Sequence, residues 1–278
     1  MNMYAGTKDM FHLAKNHYEN FPVGSWLLSR AHRKALYALY AFARTADDFA
    51  DEPTFEGKRL ECLSEWRQYL TETLEGQPPT PFFKELGTMI QTYQLPTSYF
   101  YDLLDAFVQD VTVSRYQTWD SIVDYAKKSA NPVGRLYLRI HQYQDSALDA
   151  HADAICTALQ FTNFWQDVSI DLAKDRVYIP SEVMKKHGYD VSELLAHEEN
   201  QAFLSVIKDL VERTHALFDE GEALLSKTRG RLKIELSMIV QGGRAILEKI
   251  QENQYRVLSM RPTLNSKDRV AMFLKALV

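Results

Sequence analysis

Two acidic stretches, far apart in the chain, hold the residues best suited to chemistry. One reads Arg44-Thr45-Ala46-Asp47-Asp48-Phe49-Ala50-Asp51-Glu52 and the other Asn163-Phe164-Trp165-Gln166-Asp167-Val168-Ser169-Ile170-Asp171. Each lies in an apolar pattern of helical spacing. Each places oxygen ligands four residues apart, which on a helix is one face. Two such faces turned toward each other could hold several Mg²⁺ ions, because Mg²⁺ prefers oxygen ligands shared with phosphates. Several Mg²⁺ ions could in turn hold a diphosphate. The expected chemistry is ionisation of a diphosphate ester.

Each stretch also has a plainer reading. Asn163, Asp167 and Asp171 form one stripe, which continues backward through Gln160, Leu159 and Cys156. Solvated helix faces usually mix charge signs at i,i+4. Here no Lys or Arg lies between residues 156 and 173. Like charges at i,i+4 repel by a few tenths of a kcal/mol, and bound cations would remove that cost. Taken alone, the stripe reads equally as metal ligands or as an acidic helix end. Asp47 and Asp51 share a face with Tyr40 and Arg44 upstream, and the acidic run that includes Asp48 reads more readily as solvated surface. The two together are more specific than either. Both end an apolar helix, and both have aromatics and basic side chains nearby. Arg44, Lys174 and Arg176 are placed to meet phosphate oxygens.

The elements that must carry these rows are helical. Strand-like alternation is scarce and Gly and Pro are sparse, while helical spacing recurs almost everywhere. Helices are expected at residues 7–18, 31–52, 55–75, 81–93, 97–111, 118–129, 132–142, 147–173, 181–187, 192–227 and 230–257. The stretch 192–227 reads as one wall-length helix. Asn131-Pro132-Val133-Gly134 breaks a helix, since Pro132 lacks a donor and disfavours α geometry at Asn131. It reads either as a simple inter-helix turn or as a kink whose carbonyls line a cavity. No composition shift marks a boundary, so the expectation is one all-α domain over residues 1–278.

Bulk properties narrow the class. With 278 residues the chain can bury a sizeable core. A net charge of −5 argues against a general nucleic-acid binder. Cys62 and Cys156 make neither a disulfide framework nor a metal spacing, which suits a reducing cytosol. No signal peptide precedes the first elements, and no apolar run approaches a membrane span. The basic stretch Arg261, Lys267, Arg269 and Lys275 reads as a solvated end, compatible with peripheral contact at the inner face of a membrane.

Four stretches together resemble the squalene and phytoene synthases, which join prenyl diphosphates head to head. They are His17-Tyr18-Glu19-Asn20-Phe21-Pro22-Val23, Tyr40 through Glu52, Ser129-Ala130-Asn131-Pro132-Val133-Gly134-Arg135, and Gln160 through Asp171 continuing to Asp175-Arg176-Val177-Tyr178-Ile179-Pro180. The first and third are most similar to the hydroxysqualene branch of that family, of the hopanoid pathway. The resemblance spans about residues 17–264. It implies an isoprenoid-synthase-type helical bundle around a central cavity. It implies Mg²⁺ held by Asp47, Asp48, Asp51, Asn163, Asp167 and Asp171, with Asp47, Asp51, Asp167 and Asp171 catalytic. It implies diphosphate contacts from Arg44 and Arg176. It also implies substrate contacts from Tyr40, Phe21, Gln160, Tyr125 and Tyr255, the last a weaker match.

There are departures. Tyr18 and Asn20 stand where many carotenoid-type members have serines, and Gln166 stands where many have a basic residue. One diphosphate-binding charge is thus expected to be missing. That suits an enzyme receiving presqualene diphosphate from a pathway partner rather than condensing two farnesyl diphosphates. The resemblance then implies Mg²⁺-dependent conversion of presqualene diphosphate to hydroxysqualene. The faces of Tyr40, Phe21, Phe161 and Phe164 would stabilise the carbocation. NADPH is not expected, although relatives bind it without a Gly-x-Gly-x-x-Gly motif. The alternatives are a squalene synthase using NADPH, a phytoene- or dehydrosqualene-type condensation, and an inactive prenyl-lipid-binding subunit. A di-iron bundle would need two Glu-x-x-His pairs, and only Glu212-Arg213-Thr214-His215 is present.

Overall fold

The computed structural model describes residues 29–265 and residue 268. The expected helix at 7–18, and Phe21 with it, lie outside the described residues. Within them the chain is all-α. The one β feature is an isolated parallel bridge, Arg115 to Val177. None of the described helices is long and apolar enough to cross a membrane.

The chain divides into two compact units. The first takes its described residues from 29–112 and 132–146 and holds α1 (Arg30–Asp51), α2 (Arg59–Leu74), α3 (Pro81–Thr92) and α4 (Ser98–Thr112). It also holds most of α6 (Asn131–Ile140). α1 begins where the Ser29 side chain accepts from His32 N–H at 3.1 Å. It ends before Pro53, which opens a single 3₁₀ turn, Pro53–Phe55. That turn shortens the helix expected at 55–75, which starts at Arg59. α3 is capped by Thr80 and has Pro81 in its first turn, where a missing N–H costs nothing. α2, α3 and α4 all pack on α1. The packing core is aromatic. Trp66 stacks on Phe82, meets Phe83 edge-on at 4.6 Å, and donates its indole N–H to Phe42 O at 3.3 Å. Burying rings of this size contributes about 1.5–3 kcal/mol each.

The second unit takes residues 113–131 and those from 147 onward. It holds α5 (Trp119–Ser129) and α7 (Ser146–Gln166, from Ala147), then α8 (Val168–Ala173), α9 (Ser181–Lys186) and α10 (Val191–Leu195). α11 (Gln201–Gly221), α12 (Ala223–Lys227) and α13 (Gly230–Glu252) complete it. α7 buries residues on every side, from Leu148 to Gln166, and so forms the interior rod of this unit. Two glycines set how closely its neighbours approach. A Cβ on Gly243 of α13 would stand 2.4 Å from Phe218 of α11 and 2.9 Å from Leu159 of α7. A Cβ on Gly221 would stand 2.5 Å from Ile155. Thr214, fully buried in this core, is satisfied twice. Thr214 accepts from Trp165 Nε1 at 2.8 Å and donates to Leu210 O at 2.8 Å.

Three further expected helices differ. The stretch 147–173 breaks at Asp167, where ψ is 17°. The stretch 192–227 is not one wall-length helix but three pieces. His197 takes a left-handed φ of 55°, Asn200 caps α11, and Glu222 divides α11 from α12. The polar run His197-Glu198-Glu199-Asn200-Gln201 interrupts the apolar spacing at the first break, a local signal that the one-helix expectation passes over. The helix expected at 230–257 ends at Glu252, because Gln254 and Tyr255 both adopt positive φ. The break at Asn131-Pro132 is confined to Ala130. α6 starts at once, and buried Asn131 accepts from Thr157 Oγ1 at 2.9 Å.

Candidate active site

In the first unit, the inward faces of α1 are filled by alanine, leucine and phenylalanine. Half-exposed are His32, Ala43 and a row of functional side chains: Arg33, Tyr37, Tyr40, Arg44, Asp47 and Asp51. The spacing of three and four residues is a single helical stripe. The structure therefore puts Tyr40, Arg44, Asp47 and Asp51 together, as their spacing predicts. Asp48 stands apart from the row. It is 9% exposed and takes Arg44 Nε at 2.9 Å, while Arg44 Nη1 reaches Asp47 at 3.2 Å. Asp48 is thus a fixed counter-charge under the guanidinium, and the Arg44 fork is oriented from beneath. A charge-assisted contact this sheltered is stronger than a surface ion pair.

In the second unit, the break at Asp167 leaves the other row in register. Asp167 N–H bonds to Asn163 O and Asp171 N–H bonds to Asp167 O, both at 2.9 Å. Asn163, Asp167 and Asp171 are thereby one turn apart across the kink, and all three are half-exposed. Arg176 N–H also bonds to Asp171 O at 2.9 Å, which curls residues 174–176 back toward the row. Arg115 secures that curl by an ion pair to Asp175, and Val177 N–H bonds to Ser114 O.

Beside this row stands an aromatic surface. Tyr178 lies flat on Phe164, with centroids 3.8 Å apart and planes at 5°. Tyr125 and Tyr116 flank Tyr178 at 6.2 and 5.9 Å. Phe164 and Tyr178 are half-exposed, so a ring face is available to a ligand. Phe161 is not: it is fully buried and meets the Trp119 edge at 5.0 Å. The expectation that Phe161 offers a face to a cation is corrected by that packing. Gln160 is held by Ser129, whose hydroxyl donates to Gln160 Oε1 at 2.8 Å and also contacts Tyr125 O at 3.0 Å. Tyr125 and Gln160 thus share one positioning group. Tyr255 sits in the turn after α13, its N–H bonded to Ile250 O.

Arg261 is exposed, as a solvated end implies, but it makes a contact that the sequence reading does not foresee. Expected as part of a solvated end, it forks onto Asp167, with Nε to Oδ1 at 2.5 Å and Nη2 to Oδ2 at 3.2 Å. Ninety-four positions separate the pair, so no local pattern signals it. Tyr116 and Tyr178 were likewise not singled out. Their signal was the cluster of tyrosines between residues 116 and 178, which only the fold brings together.

Both rows consist of carboxylate and amide oxygens, the hard donors that Mg²⁺ takes, with no thiol or imidazole among them. The donor set therefore fits that ion. Among the described residues, neither unit alone gathers three or more His, Cys, Asp or Glu groups into a cluster that could hold a metal. The di-iron reading also fails locally, since Glu212 is exposed and paired with Lys208 at 3.9 Å.

The chain is similar to known proteins over most of its length. Residues 14–268 match the squalene/phytoene synthase family. A hydroxysqualene synthase of Rhodopseudomonas palustris is 36% identical over 224 residues, covering 80% of this chain and 75% of that one. Another from Sinorhizobium fredii is 35% identical over 231 residues, 82% and 77% of the two chains. The crystal structure of squalene synthase HpnC from Alicyclobacillus acidocaldarius superposes with a TM-score of 0.83 at 36% identity, covering 89% of this chain and 95% of that one. The chain belongs to the squalene/phytoene synthase family, and it is an enzyme of prenyl diphosphates.

Proposed function

We propose that the enzyme converts presqualene diphosphate and water to hydroxysqualene and diphosphate, with Mg²⁺. The observation that carries this reading is the similarity, over four fifths of the chain, to proteins named hydroxysqualene synthase. Each acidic row is assigned a part in binding diphosphate through Mg²⁺. Asp47, Asp51, Asn163, Asp167 and Asp171 would hold Mg²⁺, with Asp48 serving through Arg44. Bound Mg²⁺ neutralises the charge that develops on the departing diphosphate. Arg44 and Arg176 orient the same group by forked hydrogen bonds. The departing diphosphate leaves a cyclopropylcarbinyl cation. The Phe164 and Tyr178 rings, and Tyr40 in the first unit, offer it π faces. Water adds to the rearranged cation and loses one proton, giving the alcohol. Gln166 in place of a basic residue supports a substrate made beforehand, by a partner enzyme that condenses two farnesyl diphosphates. The apolar substrate also favours work at the inner face of a membrane, in peripheral contact.

A second reading has a specific support: the structural relative at 36% identity is titled a squalene synthase. That reaction would add hydride from NADPH in place of water. The test incubates purified enzyme with presqualene diphosphate and Mg²⁺, with and without NADPH, and identifies the lipid. Hydroxysqualene without NADPH is the expected product. Squalene formed only with NADPH selects the second reading. No lipid product at all, with diphosphate retained, rejects both.

A further inference from the structure

Gln166 is the neighbour of Asp167 in the second acidic row. Gln166 is 8% exposed, and its amide donates to Pro262 O at 2.7 Å. Pro262 is itself buried. The preceding residue is Arg261, which forks onto Asp167, the neighbour of Gln166. The other end of the same segment is fixed as well. Glu199, in the loop before α11, accepts from Leu258 N–H at 3.0 Å, Ser259 N–H at 3.2 Å and the Ser259 hydroxyl at 2.6 Å. Residues 258–262 are thus a strap, tied by two side chains 33 positions apart (199 and 166) and carrying one cation between the ties. A buried amide donor left without its acceptor is costly, so the Gln166 clasp fixes the strap more firmly than an exposed contact would.

We infer that Gln166 is a positioning residue, which seats the 258–262 strap so that Arg261 lies on the second acidic row. Gln166, itself uncharged, thereby delivers a charge from elsewhere. The part of this inference that concerns diphosphate rests on the functional reading above. The seating of the strap does not.

Gln166→Met removes the donor while keeping the length of the side chain. Hydrogen exchange of the full-length protein, followed by mass spectrometry, is expected to quicken about tenfold in peptides covering residues 256–264, with α11 and α13 unchanged. Gln166→Glu, whose carboxylate cannot donate, gives the same result and serves if the Met variant does not fold. Binding of inorganic diphosphate with Mg²⁺ is expected to weaken about tenfold in Gln166→Met. It weakens at least as much in Arg261→Met, and the double variant is no weaker than Arg261→Met alone, the signature of two residues acting as one. Unchanged exchange in 256–264 overturns the clasp. Additive losses overturn the claim that Gln166 acts through Arg261. An unmodified enzyme that released no diphosphate from presqualene diphosphate would reject the functional reading alone, since exchange needs no substrate.

Discussion

At the scale of single residues, the two rows differ in how they are supported. Asp51 sits on a helix face whose other side is solid core, so its place follows from burial of Phe42, Ala46, Phe49 and Ala50. Asp167 sits at a helix break and is placed by backbone bonds on either side. Both are expected to be essential. Asp51→Ala and Asp167→Ala should each lower kcat at least about 100-fold, the loss typical of removing one preorganised electrostatic group. Diphosphate release measures this directly, and full turnover by either variant would remove that residue from the metal site. Asp48→Asn should act differently. It frees Arg44 from its fixed counter-charge, so substrate affinity should suffer more than the chemical step.

At the scale of elements, what could be read from sequence was what depends on near neighbours. α1 was expected at 31–52 and lies at Arg30–Asp51, because Ser29, the apolar stripe and Pro53 all act within a few residues. The register of Asp47 with Asp51, and of Asn163 with Asp167 and Asp171, was legible for the same reason. The three-piece course of 192–227 was not. It involves Glu199, which serves backbone donors some sixty residues away, although the polar run at 197–201 marks the first break locally. Arg261 escaped for the same cause. The joint of α9 to α11 shows long-range pairing of another kind, and it carries a pH signature. Burial alone would raise the pKa of Asp209, but hydrogen bonds from Arg213, Lys186 and His187 overcome it and hold the carboxyl well below its ordinary range. A lowered folded-state pKa adds stability that is fully present above the unfolded value, near 4, and is lost as pH falls through the folded value. Asp209→Asn should therefore be destabilised at pH 7. Its stability should also decline less than that of the unmodified protein between about pH 4 and pH 2, as urea titrations would show. Parallel acid profiles would refute this role.

At the scale of the whole molecule, stability depends on how tightly the rods of the second unit approach. Gly243 lets Phe218 and Leu159 close over the α13 backbone. Phe218 is fully buried, so its ring has little room to retreat. Gly243→Ala gains helix propensity worth about 1 kcal/mol but forces a 2.4 Å contact. Overpacking of this kind costs about 1–3 kcal/mol, and a contact this short falls toward the upper end, so the net change should be destabilising. Thermal unfolding would check the sign, and a raised Tm would show that the helices can part without loss. Gly221→Ala should behave alike, against Ile155 and the His151 carbonyl.

The chain leaves the second unit after residue 131 and returns to it at residue 147, having given α6 to the first. During synthesis, then, the described residues of the first unit have all been made once Ser146 is joined, while α5 already waits for companions. α5 meets α7 once that helix is made, but α11 and α13, which close on α7 at Ile155, Leu159 and Trp165, require roughly a hundred further residues, about 5–20 s at ordinary elongation speed. Throughout that interval the nascent α7 has its all-round greasy surface covered only where α5 meets it, which makes this the stage of the protein's life when a chaperone has most to shield.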